Sequence, residues 1–231
     1  MPKRRQPRFV VITGSDTGVG KTVLTAWLTR QLRAEGANAV ALKPICSGGR
    51  ADARALHRAN GRALDQDEVN PWHFPAALAP VLAAQQAGRR IQLNQVMTWM
   101  RTVSRAHELV LVEGAGGLLS PLGEGFDTRD LVRELNAIPV VVVPNRLGAV
   151  NQARLVIEAL PDRARSKAQV VFAAVRGAGP AARWNPELLQ AHFPKLPHTL
   201  LPWVTGGEKL EAEETPRISA ALAGLVQTLR E

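Results

Sequence analysis

Cysteine is nearly absent: Cys46 is the single thiol among 231 residues. One thiol closes no internal disulfide and builds no thiolate metal cluster. Long apolar runs are missing too, although 45% of the residues are hydrophobic. None approaches the roughly 20 residues a membrane-spanning helix needs. The opening stretch Met1-Pro2-Lys3-Arg4-Arg5-Gln6-Pro7-Arg8 is basic, but the apolar run after it, Phe9 to Ile12, is too short for a secretory signal. These absences point to a cytoplasmic protein with no membrane partner. The histidines His57, His73, His107, His192 and His198 show no i, i+4 pairing, which argues against a histidine metal motif. Aromatic residues make up only 4%, and Trp72, Trp99, Trp184 and Trp203 are scattered, so packing is their default role. No repeat of roughly 20–50 residues and no low-complexity linker interrupts the chain. A single domain over residues 1–231 is expected, with residues 1–8 a flexible basic arm.

Acidic residues are outnumbered, 20 against 29 Lys and Arg, which gives a net charge of +9 and a pI near 10.9. Such a balance invites a nucleic-acid reading. The excess is spread along the chain, however, and only residues 1–8 form a dense cluster. No aromatic-rich binding motif accompanies them. No nucleic-acid partner is therefore expected, and the basic surface suits small anionic substrates.

What the chain does carry is Gly14-Ser15-Asp16-Thr17-Gly18-Val19-Gly20-Lys21-Thr22, between the apolar run Phe9–Thr13 and a helical pattern. A strand, a glycine-rich turn and a helix opening on Lys-Thr make a phosphate cradle, with backbone N–H groups turned inward and the positive end of a helix behind them. In such a loop Lys21 reaches the β- and γ-phosphates and the Thr22 hydroxyl ligates Mg²⁺. The spacing departs from G-x-x-x-x-G-K-[ST], because Gly14 lies one residue early.

Downstream, short β-rich runs alternate with helical patterns. The alternation predicts an α/β fold, a three-layer αβα sandwich around a mostly parallel sheet, and with the phosphate loop it is of the P-loop NTPase type. Strands are expected at residues 9–13, 39–43, 109–112, 140–143, 170–175 and 199–201. Helices are expected at about 21–35, 52–58, 81–87, 94–105, 126–136, 150–160, 186–192 and 217–229. Residues 45–50 read as a small-residue loop, and the proline-broken segment 60–80 as irregular structure over the site. Ligands in open parallel sheets bind beyond the carboxyl ends of the strands. That rule selects the phosphate loop, residues 43–47, 113–117, 144–148 and 176–179.

Several residues there have two readings on local sequence. Glu113 is either a strand-end acid or the carboxylate that holds Mg²⁺ in nucleotide-hydrolysing folds. Asp52 either caps a helix or joins Thr22 and Glu113 in an oxygen-rich metal shell. Lys43 is a solvated strand-end lysine or projects over the sheet toward the phosphate loop. Ser47 is weaker still, in a glycine-rich turn. The segment from Asn145 to Asn151 is a plain strand-to-helix connection or offers free N–H groups to an anion.

Taken together, Thr13 to Thr22, Lys43-Pro44 with Ser47-Gly48, Val69-Asn70-Pro71, Val112-Glu113-Gly114-Ala115-Gly116-Gly117, Leu147-Gly148 with Asn151, and Pro202-Trp203 resemble the dethiobiotin synthetase family. The resemblance implies a ring-closing ligase that joins 7,8-diaminopelargonate and CO₂ with ATP and Mg²⁺, through a carbamate and a carbamic–phosphoric anhydride, releasing ADP and phosphate. It implies catalytic roles for Lys43, Lys21 and Thr17. It implies nucleotide binding by Asp16, Thr17, Gly18, Val19, Gly20, Lys21, Thr22, Val23, Glu113, Arg176, Pro202, Trp203 and Val204. Substrate binding falls to Thr17, Lys43, Ser47, Gly116 and Gly117, and metal binding to Thr22, Asp52 and Glu113. The family is a homodimer, and a substrate carboxylate at a partner's helix N-terminus would meet Gly148, Ala149, Val150 and Asn151.

One departure stands out. Family members often carry an asparagine that reads adenine where this chain has Arg176. An arginine donates but does not accept, so it lacks the paired edge of an amide. A looser base preference, extending to CTP, is expected. The alternative reading is a partitioning or membrane-site ATPase, whose K-G-G-x-G-K-[ST] loop has an early lysine. Here Ser15, Asp16 and Thr17 fill those positions.

Overall fold

A computed structural model describes residues 6–203 and 215–231. The fold is α/β. Six strands form one parallel sheet in the order β2-β5-β1-β6-β7-β8. They are β1 (Arg8–Gly14), β2 (Ala39–Leu42), β5 (Leu109–Glu113), β6 (Ile138–Asn145), β7 (Gln169–Ala174) and β8 (His198–Leu201). Arg8, read from sequence as part of the flexible arm, is instead the first residue of β1. Its guanidinium donates to the carbonyls of Leu229 and Arg230 at 2.7 and 3.0 Å.

The central strands are near-continuous Val, Ile and Leu because both faces of the sheet are covered. On one face Val10, Ile12, Val140 and Val142 pack against Leu24, Leu28 and Leu32 of α1 (Lys21–Ala34) and against Ile218, Leu222 and Leu225 of α10 (Thr215–Arg230). On the other, Val11, Val110 and Val112 meet α5 (Leu93–Ser104) and α6 (Thr128–Glu134), while Val141 and Val143 meet α7 (Ala149–Ala159) and α9 (Ala181–His192). The i, i+4, i+8 leucines of α1 are fully buried, each stabilising the fold by about 2 kcal/mol. The sheet is thus the middle of three layers.

Two segments depart from the sequence reading. Residues 45–50 and 60–80 are not simply loop. Ile45–Ser47 forms β3, which pairs in parallel with β4 (Trp72–Phe74) as a separate small sheet. Between them lie α2 (Ala51–Ala59) and the single turn α3 (Gln66–Val69), which opens on an Asp65–Glu68 capping box; α4 (Pro80–Gln86) follows β4. Strands of three residues flanked by prolines carry too little periodicity to be read from sequence. Helix α9 begins earlier than expected and carries Pro186 inside it. The turn α8 (Asp162–Arg165) completes the described helices.

β1 sits between β5 and β6, so its carboxyl end feeds the phosphate loop into a crevice flanked by two strand ends. Register sets the heights: Ile12 lies opposite Glu113, and Gly14 opposite Val142.

Candidate active site

The loop from Gly14 to Thr22 wraps over the end of β1. Gly20 has φ of 102° and Gly18 of 75°, a backbone that side-chain-bearing residues rarely adopt. Lys21 curls back across the loop and donates from Nζ to the Asp16 carbonyl at 2.7 Å. The Asp16 carboxylate accepts from Thr17 N at 2.7 Å. Burial, helped by repulsion from Lys43, lowers the Lys21 pKa from 10.5 to about 8.

Lys43 follows β2 at the sheet's edge and is only 3% exposed. Its Nζ lies 2.6 Å from Glu113 Oε1, 3.1 Å from Asp52 Oδ2 and 3.0 Å from the Gly114 carbonyl. Burial alone would lower its pKa, but the Glu113 and Asp52 carboxylates outweigh burial and raise it above the ordinary lysine value. Asp52, in the first turn of α2, shows the complement. Burial works against its charge, yet the Lys43 ammonium and the Thr22 hydroxyl hold its carboxyl below the usual range. Of the two readings of Lys43, the inward one is observed; of those of Asp52, Arg50 occupies the N-cap.

The Thr22 hydroxyl donates to Glu113 Oε1 at 2.8 Å. The other carboxylate oxygen, Glu113 Oε2, is buried and has no hydrogen-bond partner. An orphaned carboxylate oxygen beside a threonine hydroxyl and a second carboxylate is a hard, oxygen-only donor set, and it fits Mg²⁺. Among the described residues no group of three or more His, Cys, Asp or Glu is placed to hold a metal.

A cavity of about 740 Å³ opens here. Its lining brings together Thr17, Gly18, Gly20, Lys21, Thr22 and Val23 from the loop with Lys43, Ser47, Asp52, Glu113 and Gly116. The glycines after β5 are required by close approach. A Cβ on Gly114 would lie 2.7 Å from Thr128 Oγ1, and one on Gly117 would lie 3.3 Å from the Ser15 carbonyl. Gly117 therefore backs the phosphate loop rather than lining the cavity, and Val19 turns its side chain into the core. The Ser47 hydroxyl donates to the Leu78 carbonyl at 2.6 Å.

Four further positions named from sequence, Gly148, Ala149, Val150 and Asn151, lie outside this chain's own cavity. They form the start of α7, where Gly148 has φ of 91° and Ala149 is buried. Ser15 and Gln152 Oε1 approach to 3.5 Å across the gap to the loop. Arg176 and Trp203 are brought together, the guanidinium 5.5 Å from the indole centroid, with Pro202 adjoining. They follow β7 and β8 on the side of the loop where Gly20 faces Ala173. Val204 lies outside the described residues.

Sequence reasoning missed Cys46, Leu78, Pro80 and Ser120, which also line the cavity. Cys46 lies on β3, and burial raises its thiol pKa. Leu78 and Pro80 arrive from the end of β4, in the small second sheet, which a rule based on the main strands does not reach. Ser120 was findable: it stands just beyond the glycines and accepts from Gly117 N at 2.8 Å.

Comparison with known proteins decides the family. A model described as an AAA domain matches residues 8–205. The protein named ATP-dependent dethiobiotin synthetase BioD from Anaeromyxobacter dehalogenans is 38% identical over 204 residues, covering 85% of this chain and 90% of its own length. Its namesake from Xanthomonas campestris is 42% identical over 162 residues, 67% and 72% of the two chains. The chain belongs to the dethiobiotin synthetase family. Membership makes it an enzyme, a ligase of biotin biosynthesis with a nucleotide-binding phosphate loop. The MinD cell division protein of Aquifex aeolicus, 18% identical with a TM-score of 0.52 over 96% of this chain and 95% of its own, shares the fold alone. So does the signal recognition particle receptor FtsY from Elizabethkingia anophelis, 15% identical with a TM-score of 0.51 over 99% and 65%.

Proposed function

We propose that this dethiobiotin synthetase closes the ureido ring of 7,8-diaminopelargonate with CO₂ and ATP, and that Lys43 is the residue around which the bond-forming steps occur. A neutral substrate amine attacks CO₂ and loses a proton, giving a carbamate. A carbamate oxygen attacks the γ-phosphorus, and ADP leaves with the bridging oxygen. The second amine attacks the carbonyl of the mixed anhydride, phosphate departs, and a proton is released. Every intermediate is anionic, so the site must neutralise charge and hold reactants in line.

The single observation that carries this reading is Lys43 beside the phosphate loop, buried and kept charged by Glu113 and Asp52. A permanently protonated amine in a sheltered site stabilises a carbamate and an anhydride more strongly than one in water. Lys21 stabilises the charge on the phosphoryl group as it passes from ADP to the carbamate oxygen. Thr17 and Ser47 orient the carbamate at the junction of loop and cavity. Thr22, Asp52 and Glu113 would hold Mg²⁺, which when bound would supply neutralisation of phosphate charge. Leu78 and Pro80 wall the cavity and exclude water from the anhydride. Arg176, Trp203 and Pro202 hold the base.

The substrate carboxylate, in this reading, is received by the start of α7 from a second copy of the chain. Two features support that assembly. Gly148 to Asn151 lie outside this chain's own cavity, and Leu147, Leu155, Trp184 and Leu188 are exposed apolar side chains on or beside α7 and α9.

Oxygen labelling tests the chemistry. With ¹⁸O-bicarbonate as the carbon source, the released phosphate carries one labelled oxygen per turnover. Phosphate without CO₂-derived oxygen rules the anhydride out.

A further inference from the structure

We infer that Asn70, which the mechanism above leaves unused, is a positioning residue that sets the place of the Lys43 ammonium. This rests on the reading of Lys43 given above. β2 is the edge strand of the main sheet, and its pairing with β5 ends at Leu42 opposite Val112. Lys43 therefore has no strand partner for its backbone, yet it is the residue whose side chain must be aimed most closely.

The segment ahead of β4 takes over. Lys43 N donates to the Val69 carbonyl at 2.9 Å. Asn70, only 1% exposed, donates from Nδ2 to the Lys43 carbonyl at 2.7 Å. Both backbone groups of Lys43 are thus held by two consecutive residues. The amide's other end accepts from Arg50 Nε at 3.2 Å, and Arg50 Nη2 donates to the Asn70 carbonyl at 2.9 Å. Arg50 is the N-cap of α2, the helix whose first turn carries Asp52. One buried amide therefore ties the backbone of Lys43 to the helix of its carboxylate partner. Only an amide supplies a donor on one side and an acceptor on the other at this length.

Asn60 provides the internal control. It is fully buried and clamps the same strand edge two residues earlier, accepting from Ala41 N at 2.8 Å and donating to the Ala41 carbonyl at 2.9 Å. Ala41 carries no site side chain. The two asparagines do the same structural work, but only Asn70 acts on a residue of the site.

The test compares Asn70→Asp with Asn60→Asp in the full-length enzyme, alongside Lys43→Ala. Asp keeps the shape and the acceptor and removes the donor. We expect Asn70→Asp to lower kcat for dethiobiotin formation on the order of 10- to 100-fold, with KM for ATP within about twofold of wild type because the phosphate loop is untouched. Asn60→Asp should lower the melting temperature at least as much while leaving kcat within about threefold. Asn70→Ser serves as a milder replacement if the aspartate does not fold. An Asn70 variant with wild-type kcat, or equal kcat losses for the two asparagines, overturns the positioning role. Full activity in Lys43→Ala instead overturns the reading of Lys43 itself, so the two failures are told apart.

Discussion

Lys43 Nζ and Glu113 Oε1 lie 2.6 Å apart, with the side chains 4% and 0% exposed. A pair this buried is weak evidence for stability, since desolvation offsets much of the attraction, but breaking it on one side is costly. Lys43→Met strands the Glu113 carboxylate and should destabilise the protein by about 3 kcal/mol in urea unfolding. Adding Glu113→Gln should recover most of that loss. Because the folded pKa of Lys43 is raised, its contribution is fully present at neutral pH and is lost only as pH rises through that raised value. A single and a double variant equally destabilised would show that the pair is not coupled.

Lys21 titrates the opposite way. Its folded pKa of about 8 lies below the ordinary 10.5. Between those values the unfolded chain binds more protons, so stability rises with pH there, and below about pH 8 the charged form carries its full cost. A bound triphosphate favours the ammonium and raises the pKa again. Calorimetry at pH 8.5 in buffers of different ionisation enthalpy should therefore show proton uptake on ATP binding. At pH 6.5 the uptake should vanish, and in Lys21→Met it should vanish at both.

Gly114 has no room for a methyl group, since a Cβ would meet Thr128 Oγ1 at 2.7 Å and Cγ2 at 2.9 Å. Gly114→Ala should cost roughly 1–3 kcal/mol, seen as a fall in melting temperature. Thr128→Ala removes the two atoms struck, so the double variant should be more stable than Gly114→Ala alone. If it is less stable, the clash is elsewhere.

Base selectivity is expected to be loose, because Arg176 and Trp203 offer a stacked cation and ring rather than an amide edge. The kcat/KM values for ATP, CTP and GTP should fall within about tenfold of one another. Trp203→Ala should weaken all three alike. A strong preference for ATP over both others contradicts this.

The architecture was legible because parallel strands buried on both faces read as runs of Val, Ile and Leu, and because α1 repeats leucine every four residues. The phosphate loop, Lys43 and Glu113 were legible as candidates because a strand end followed by glycine, proline or charge marks the rim of an open sheet, whereas Asp52 read locally only as the opening of a helix. What the residues alone left open was direction. Nothing local told whether Lys43 faced solvent or Glu113; the parallel register of β2 with β5 and the placement of α2 decide that. The small β3–β4 sheet was hidden by its shortness, and with it the wall at Leu78 and Pro80. The clamp at Asn70 was hidden because its side-chain partners, the Lys43 carbonyl and the Arg50 guanidinium, stand 27 and 20 residues away in the chain.

The most direct test of the central claim is dethiobiotin formation by wild type and Lys43→Ala, followed by mass with 7,8-diaminopelargonate, bicarbonate, Mg²⁺ and ATP. The account predicts product and equimolar ADP from wild type, and from Lys43→Ala retained nucleotide binding with ring closure lost. Absence of product from wild type, or full activity in Lys43→Ala, would contradict it.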